Sequence, residues 1–145
     1  MLSRTVFTAA VVAMLCLAPA PAQVAHYTLV PDQARVPVGG TLNVDVLMTG
    51  LTQPLDGYSV QLVYDTTKLL STNIVQGPYL AFPTFLTSVL YDYVSCGGLD
   101  LNPGALPPGS GSGIIATFEF LVIGAGPISL NLDEGIGQPQ PQPGN

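Results

Sequence analysis

The 145-residue chain has no tryptophan, one histidine, two cysteines and three basic residues against nine acidic ones, a formal charge of −6 at pH 7. Each scarcity removes a class of function. Nucleic acids and anionic membrane surfaces call for a basic patch, and none can be assembled from Arg4, Arg35 and Lys68. A histidine triad or a histidine-rich metal centre would rest on His26 alone. With Cys16 in an amino-terminal leader, Cys96 has no intrachain disulfide partner. No basic neighbour lowers the pKa of Cys96, so it reads as a small buried side chain and not as a nucleophile. Neither an EF-hand loop nor an Asn-x-Ser/Thr acceptor occurs. The carboxylates Asp92, Asp100, Asp133 and Glu134 nominate no acid/base pair. The glycine-rich stretch Gly109 to Gly113 lacks both the lysine of a phosphate loop and the flanking glycines of a nucleophile elbow. No catalytic residue, metal ligand or cofactor is assigned, and an enzyme is the least favoured class.

What is present begins with a leader. Arg4 supplies a positive start, Val6 to Ala18 an apolar run, and Ala20-Pro21-Ala22 a small-x-small cleavage site, the pattern of a signal peptide over residues 1–22. The run is shorter than the roughly 20 residues that span a bilayer, so no membrane span is expected after its removal. Residues 23–135 are expected to form one domain, and Gln138-Pro139-Gln140-Pro141-Gln142-Pro143 a polyproline-type tail or linker within 136–145.

Within the domain, apolar residues recur with period two between turn signals, and no segment holds a 3.6-residue period. Strands are expected at Val24 to Val30, Thr41 to Met48, Gly57 to Tyr64, Thr72 to Val75, Ser88 to Ser95, Gly98 to Leu101, Gly111 to Val122 and Ile128 to Leu132. Parity sends Leu42, Val44, Val46 and Met48 inward, with Tyr58, Val60, Leu62 and Tyr64, and with Ala116, Phe118, Phe120 and Val122. Leu69 and Leu70 are expected to re-enter the core after an Asx-type turn at Asp65, and Gly40 suits a positive φ or a bulge. Strands without crossover helices make an antiparallel sandwich.

Three of these segments, in this order, resemble the cohesin family: Gly40-Thr41 opening an alternating strand, Gly57-Tyr58 to Tyr64-Asp65 with Leu69 four residues beyond the aspartate, and Gly113-Ile114-Ile115-Ala116-Thr117-Phe118-Glu119-Phe120. The resemblance covers Val24 to Gly135. It implies an all-β, antiparallel jelly-roll β-sandwich and a non-catalytic module, secreted or at the cell surface, that holds dockerin modules of other secreted proteins in polysaccharide-degrading assemblies. In many cohesins the strand ending in Tyr-Asp opens with Asn and Asp that bond the dockerin. Gly57 and Ser59 stand at the matching positions here, and Asp65-Thr66 replaces the usual Asp-Pro turn.

Parity places Ser59, Gln61, Thr117 and Glu119 opposite the core set, which makes them the candidate contacts for a dockerin-like or other secreted protein, read as one flat face. The apolar Val63, Ile115 and Leu121 fall on that same outward parity and favour a partner over bare solvent. The alternative is direct polysaccharide binding, which needs aromatic rings arrayed on the surface, and in a chain without tryptophan Tyr79, Tyr91 and Tyr93 are the candidates. A structural or adhesive surface domain is the third reading.

Overall fold

The computed structural model describes residues 26–51, 57–79, 84–99 and 111–133. The expected leader and tail, Asp100, Leu101, Glu134 and most of the expected Pro/Gly/Ser loop lie outside the described residues. Eight strands follow one another: β1 His26–Pro31, β2 Thr41–Leu51, β3 Gly57–Tyr64, β4 Leu69–Gln76, β5 Thr84–Val89, β6 Tyr93–Leu99, β7 Gly111–Val122 and β8 Leu130–Leu132. They form two four-stranded sheets, ordered β1-β2-β7-β4 and β5-β6-β3-β8, and every pairing is antiparallel. This is an all-β sandwich among the described residues, as the alternation required.

The two central strands of each sheet supply the core because period-two alternation buries every second side chain. Leu42, Val44, Val46 and Met48 of β2 and Phe118, Phe120 and Val122 of β7 face Tyr58, Val60, Leu62 and Tyr64 of β3 and Val94 and Cys96 of β6, all buried. The Tyr64 and Phe120 rings meet across the gap, centroids 5.2 Å apart and tilted by 57°, within the range that favours tilted aromatic pairs. The turn after β3 closes as expected: the Thr67 amide donates to Asp65 Oδ1 at 2.9 Å, and the Lys68 and Leu69 amides donate to the Asp65 carbonyl.

Four expectations change. Ile115 is fully buried, because the β2–β7 register shifts by one: Val46 pairs with Ala116 and Leu47 with Ile114, leaving Ile115 as the extra residue of a β-bulge turned into the core. Leu70 is 51% exposed, since β4 already starts at Leu69 and alternation turns its second residue outward. The positive φ of the β1–β2 connection belongs to Gly39 (φ 89°) and not to Gly40. Finally, the stretch 88–95 is not one strand. It holds the end of β5, a turn at 90–92 and the start of β6, closed as a hairpin by the Leu90 amide donating to the Tyr93 carbonyl, which explains why its alternation does not read as a single period.

The bulge is braced from two sides. Tyr58 Oη donates to the Ile115 carbonyl at 3.0 Å in the core, bridging the sheets, and the Gly77 amide donates to the same oxygen at 2.8 Å. A Cβ at residue 77 would collide with the Ile114 carbonyl, so only glycine lets the chain leaving β4 approach this closely. Truncating the fully buried Phe118 to alanine should destabilise the domain by about 3–5 kcal/mol. A urea unfolding midpoint equal to that of the parent chain would contradict this packing.

Candidate functional site

The four polar candidates do not share a face. Ser59 and Gln61 belong to β3 in the β5-β6-β3-β8 sheet, whereas Thr117 and Glu119 belong to β7 in the other sheet. Each points away from the core as parity required, and because the sheets stack core to core, the two pairs lie on opposite outer surfaces of the sandwich. On its own face, Thr117 Oγ1 donates to Asp45 Oδ1 at 2.6 Å, which commits the hydroxyl proton to that carboxylate. Glu119 stands in register between Asn43 and Asn73. Of the three outward apolar candidates, Val63 shares the face of Ser59, Leu121 lies half-buried on the opposite one, and Ile115 is in the core.

The face of Ser59 and Gln61 is built from cross-strand rows. Thr84, Leu99 and Gly57 form the first; Leu86, Gly97 and Ser59 the second; Ser88, Ser95 and Gln61 the third; Tyr93, Val63 and Asn131 the fourth. Gly97, Ser59 and Ser95 are small, so the sheet is low there, and Gln61, the one long side chain of these rows on the central strands, reaches toward Asp133 at the margin. A Cβ at Gly97 would sit 2.9 Å from the Tyr58 carbonyl, so the floor is kept low by the approach of β3 itself. Around it stand Leu86 at 64% exposure, Leu99, Val63 and Tyr93. One margin is acidic. The Asp133 amide donates to the Gln61 carbonyl at 3.0 Å, and Gln61 Nε2 reaches Asp133 Oδ2 at 3.4 Å. None of the four strands carries a lysine or arginine.

Sequence reasoning missed Leu86, Ser95, Gly97 and Asn131. For Leu86, Ser95 and Gly97 the signal was present as period two within 84–89 and 93–99, readable only once the intervening turn is placed, and for Asn131 it lay in the alternation of Ile128, Leu130 and Leu132.

The tyrosine candidates separate as well. Tyr79 is half-buried, its ring pressed on Gly113 where no Cβ would fit. Its hydroxyl is enclosed, with no hydrogen-bond partner among the described residues, and burial pushes its pKa up. It plugs the sandwich and offers no ring to a sugar. Tyr91 stands in the β5–β6 turn at 86% exposure, and Tyr93 lies on the outer face of β6 opposite Val63.

Among the described residues no group of three His, Cys, Asp or Glu side chains is placed to hold a metal ion. Burial pushes the Cys96 thiol up to about 12 from its ordinary 9.0. Tyr27 rises from 10.0 to about 12, first by burial and then by the proximity of Cys96. Both groups keep their protons in the folded chain at pH values where the unfolded chain has released them. The stability they contribute is therefore level below pH 9.0 and falls as pH rises from 9.0 toward about 12. Unfolding midpoints at about pH 8 and about pH 10.5 should show the drop, and a disulfide reagent should label Cys96 only as the protein opens. Labelling of the folded protein at free-thiol rates would refute the burial.

No family model matches the chain, and no curated protein matches it. Solved structures do. The seventh ScaB type I cohesin from Pseudobacteroides cellulosolvens superposes with a TM-score of 0.64 at 22% identity, covering 75% of this chain and 73% of that one. The third cohesin of ScaC from Acetivibrio cellulolyticus, in complex with the ScaB dockerin, gives 0.60 at 16% identity, with 69% and 75% covered. A type II cohesin domain from the cellulosome of Acetivibrio cellulolyticus gives 0.63 at 14% identity, with 76% and 75% covered. At these identities the likeness is one of fold: the chain has a cohesin-like β-sandwich.

Proposed function

We propose that this cohesin-like sandwich is a non-catalytic binding module that receives a dockerin-type partner on the outer face of the β5-β6-β3-β8 sheet. The observation that carries the reading is the shallow floor of Gly97, Ser59 and Ser95, rimmed by Leu86, Leu99, Val63 and Tyr93. A helix is about 10–12 Å across with its side chains, roughly the width of the two low central strands and their flanks at ~4.8 Å per strand. Apolar rims around a polar, small-residue centre suit a surface that must desolvate against a partner and is still soluble alone. Support for the kind of partner comes from a structural neighbour bound to a dockerin whose C-terminal helix was altered. The opposite face is less suited, because its central strands carry the larger and charged Asn43, Asp45, Thr117 and Glu119 where this one carries Gly97, Ser59 and Ser95.

The same reading takes residues 1–22 as a secretion signal, residues 23–135 as the module and residues 136–145 as a tail or linker, which places the protein outside the cell or on its surface in a polysaccharide-degrading or adhesive assembly. Direct polysaccharide binding is the second reading, and the exposed ring of Tyr91 beside the face that carries Tyr93 is what favours it.

A panel of purified dockerin modules, with insoluble cellulose and chitin in parallel, tests both. Ser59→Arg fills the floor with a long charged side chain and should weaken dockerin capture by about 30-fold or more, the loss typical of blocking an interface centre. Val75→Arg, on the opposite face, should leave capture unchanged. Retention on polysaccharide alone, lost in Tyr91→Ala, would instead assign the module to sugar binding. Dockerin capture that survives Ser59→Arg and is lost in Val75→Arg would move the site to the other sheet.

A further inference from the structure

A second site lies away from both sheet faces, where the β1–β2 connection meets the segment leading into β8. Pro31, Gln33, Ala34, Arg35 and Val36 form one wall and Gly126, Pro127, Ile128 and Leu130 the other, with Leu42 as part of the floor, enclosing a groove of about 420 Å³. That size lies within the range of small-ligand sites, and the lining has their usual character: mostly apolar with one or two placed polar groups. Val36, Ile128 and Leu130 pack on the core and remain half-buried, so the groove floor is continuous with the protein interior.

The charge distribution singles this groove out. In a chain of net charge −6, Arg35 and Lys68 are the only basic side chains among the described residues, and both are found here. Lys68 braces the wall from behind: its Nζ donates to the Pro127 carbonyl at 2.7 Å and lies 3.4 Å from Asp65 Oδ2, so its charge is already offset. Arg35 lines the groove and has neither an ion-pair nor a hydrogen-bond partner among the described residues.

We propose that the groove binds a small amphipathic carboxylate, with the apolar body on Val36, Ile128 and Leu130 and the carboxylate on the Arg35 guanidinium. A guanidinium fork matches a carboxylate in two parallel hydrogen bonds, which a neutral amide of the same shape cannot reproduce. The acidic field of the rest of the chain disfavours multiply charged anions, so a single negative charge on an apolar body is the species this lip selects. The site is independent of the dockerin face, and either can fail without the other.

The test is a nuclear magnetic resonance titration of the full chain with 3-phenylpropionate and, separately, with its uncharged amide. The carboxylate should perturb Val36, Ile128 and Leu130 and bind about tenfold more tightly than the amide. Arg35→Gln, at an exposed position with no folding role, should bring the two ligands to equal affinity, and Arg35→Lys should restore part of the difference. Equal binding of acid and amide to the parent chain, perturbation confined to other residues, or no perturbation at all would overturn the proposal.

Discussion

One buried hydrogen bond sets the geometry on which both outer faces depend. Tyr58 Oη reaches across the core to the Ile115 carbonyl at 3.0 Å, and the Gly77 amide takes the same oxygen at 2.8 Å. A bulge leaves a carbonyl outside the regular ladder, and an unpaired buried carbonyl is costly. Here the two donors come from the opposite sheet and from the end of β4. The bulge turns Ile115 inward next to Ala116 and resets the parity of β7 against β2. Without it, either Ile115 would face solvent or the Phe118, Phe120 and Val122 set would lose its place against β3.

The two surfaces that result are chemically different although both are outer faces of antiparallel sheets. On the β1-β2-β7-β4 side, the centre is polar, with Thr117 bonded to the Asp45 side chain and Thr72 Oγ1 to the Glu119 main-chain carbonyl, and Val30, Leu70 and Val75 stand exposed on the edge strands. On the β5-β6-β3-β8 side, glycine and serine occupy the centre and the larger apolar groups stand at the margins. A rigid, low-centred face held by ladder hydrogen bonds positions its contact groups with little ordering cost, which is what recognition by a preformed surface needs. The groove at Arg35 arises from a different cause. The β1–β2 connection and the segment before β8 meet beside β1 and β8, an edge strand of each sheet.

Much of the core was legible because side-chain direction along a strand depends only on the strand itself. Thus Leu42 to Met48, Tyr58 to Tyr64 and Phe118 to Val122 were assigned inward from alternation alone, and Ser59, Gln61, Thr117 and Glu119 outward. The region 84–99 was illegible for a physical reason. Its hairpin turn at 90–92 carries apolar Leu90 and Tyr91 with Asp92 as its single turn-forming residue, so the period breaks on a weak punctuating signal. Gly97, Ser95 and Leu86, the centre and rim of the candidate face, were hidden with it.

By itself, then, the sequence determined the all-β class, the inward and outward sets of the main strands and the scarcity of chemistry for catalysis, since composition and two-residue periodicity are local properties. Tertiary structure alone decided that Ser59 and Gln61 stand on one surface while Thr117 and Glu119 stand on the other. Sheet membership comes from pairing between segments far apart in the chain, β3 with β6 and β8, and β7 with β2 and β4. No period within a strand records which partner it will find. The inward turn of Ile115 was decided in the same way, by a tyrosine and a glycine remote in sequence that meet only when the sheets close.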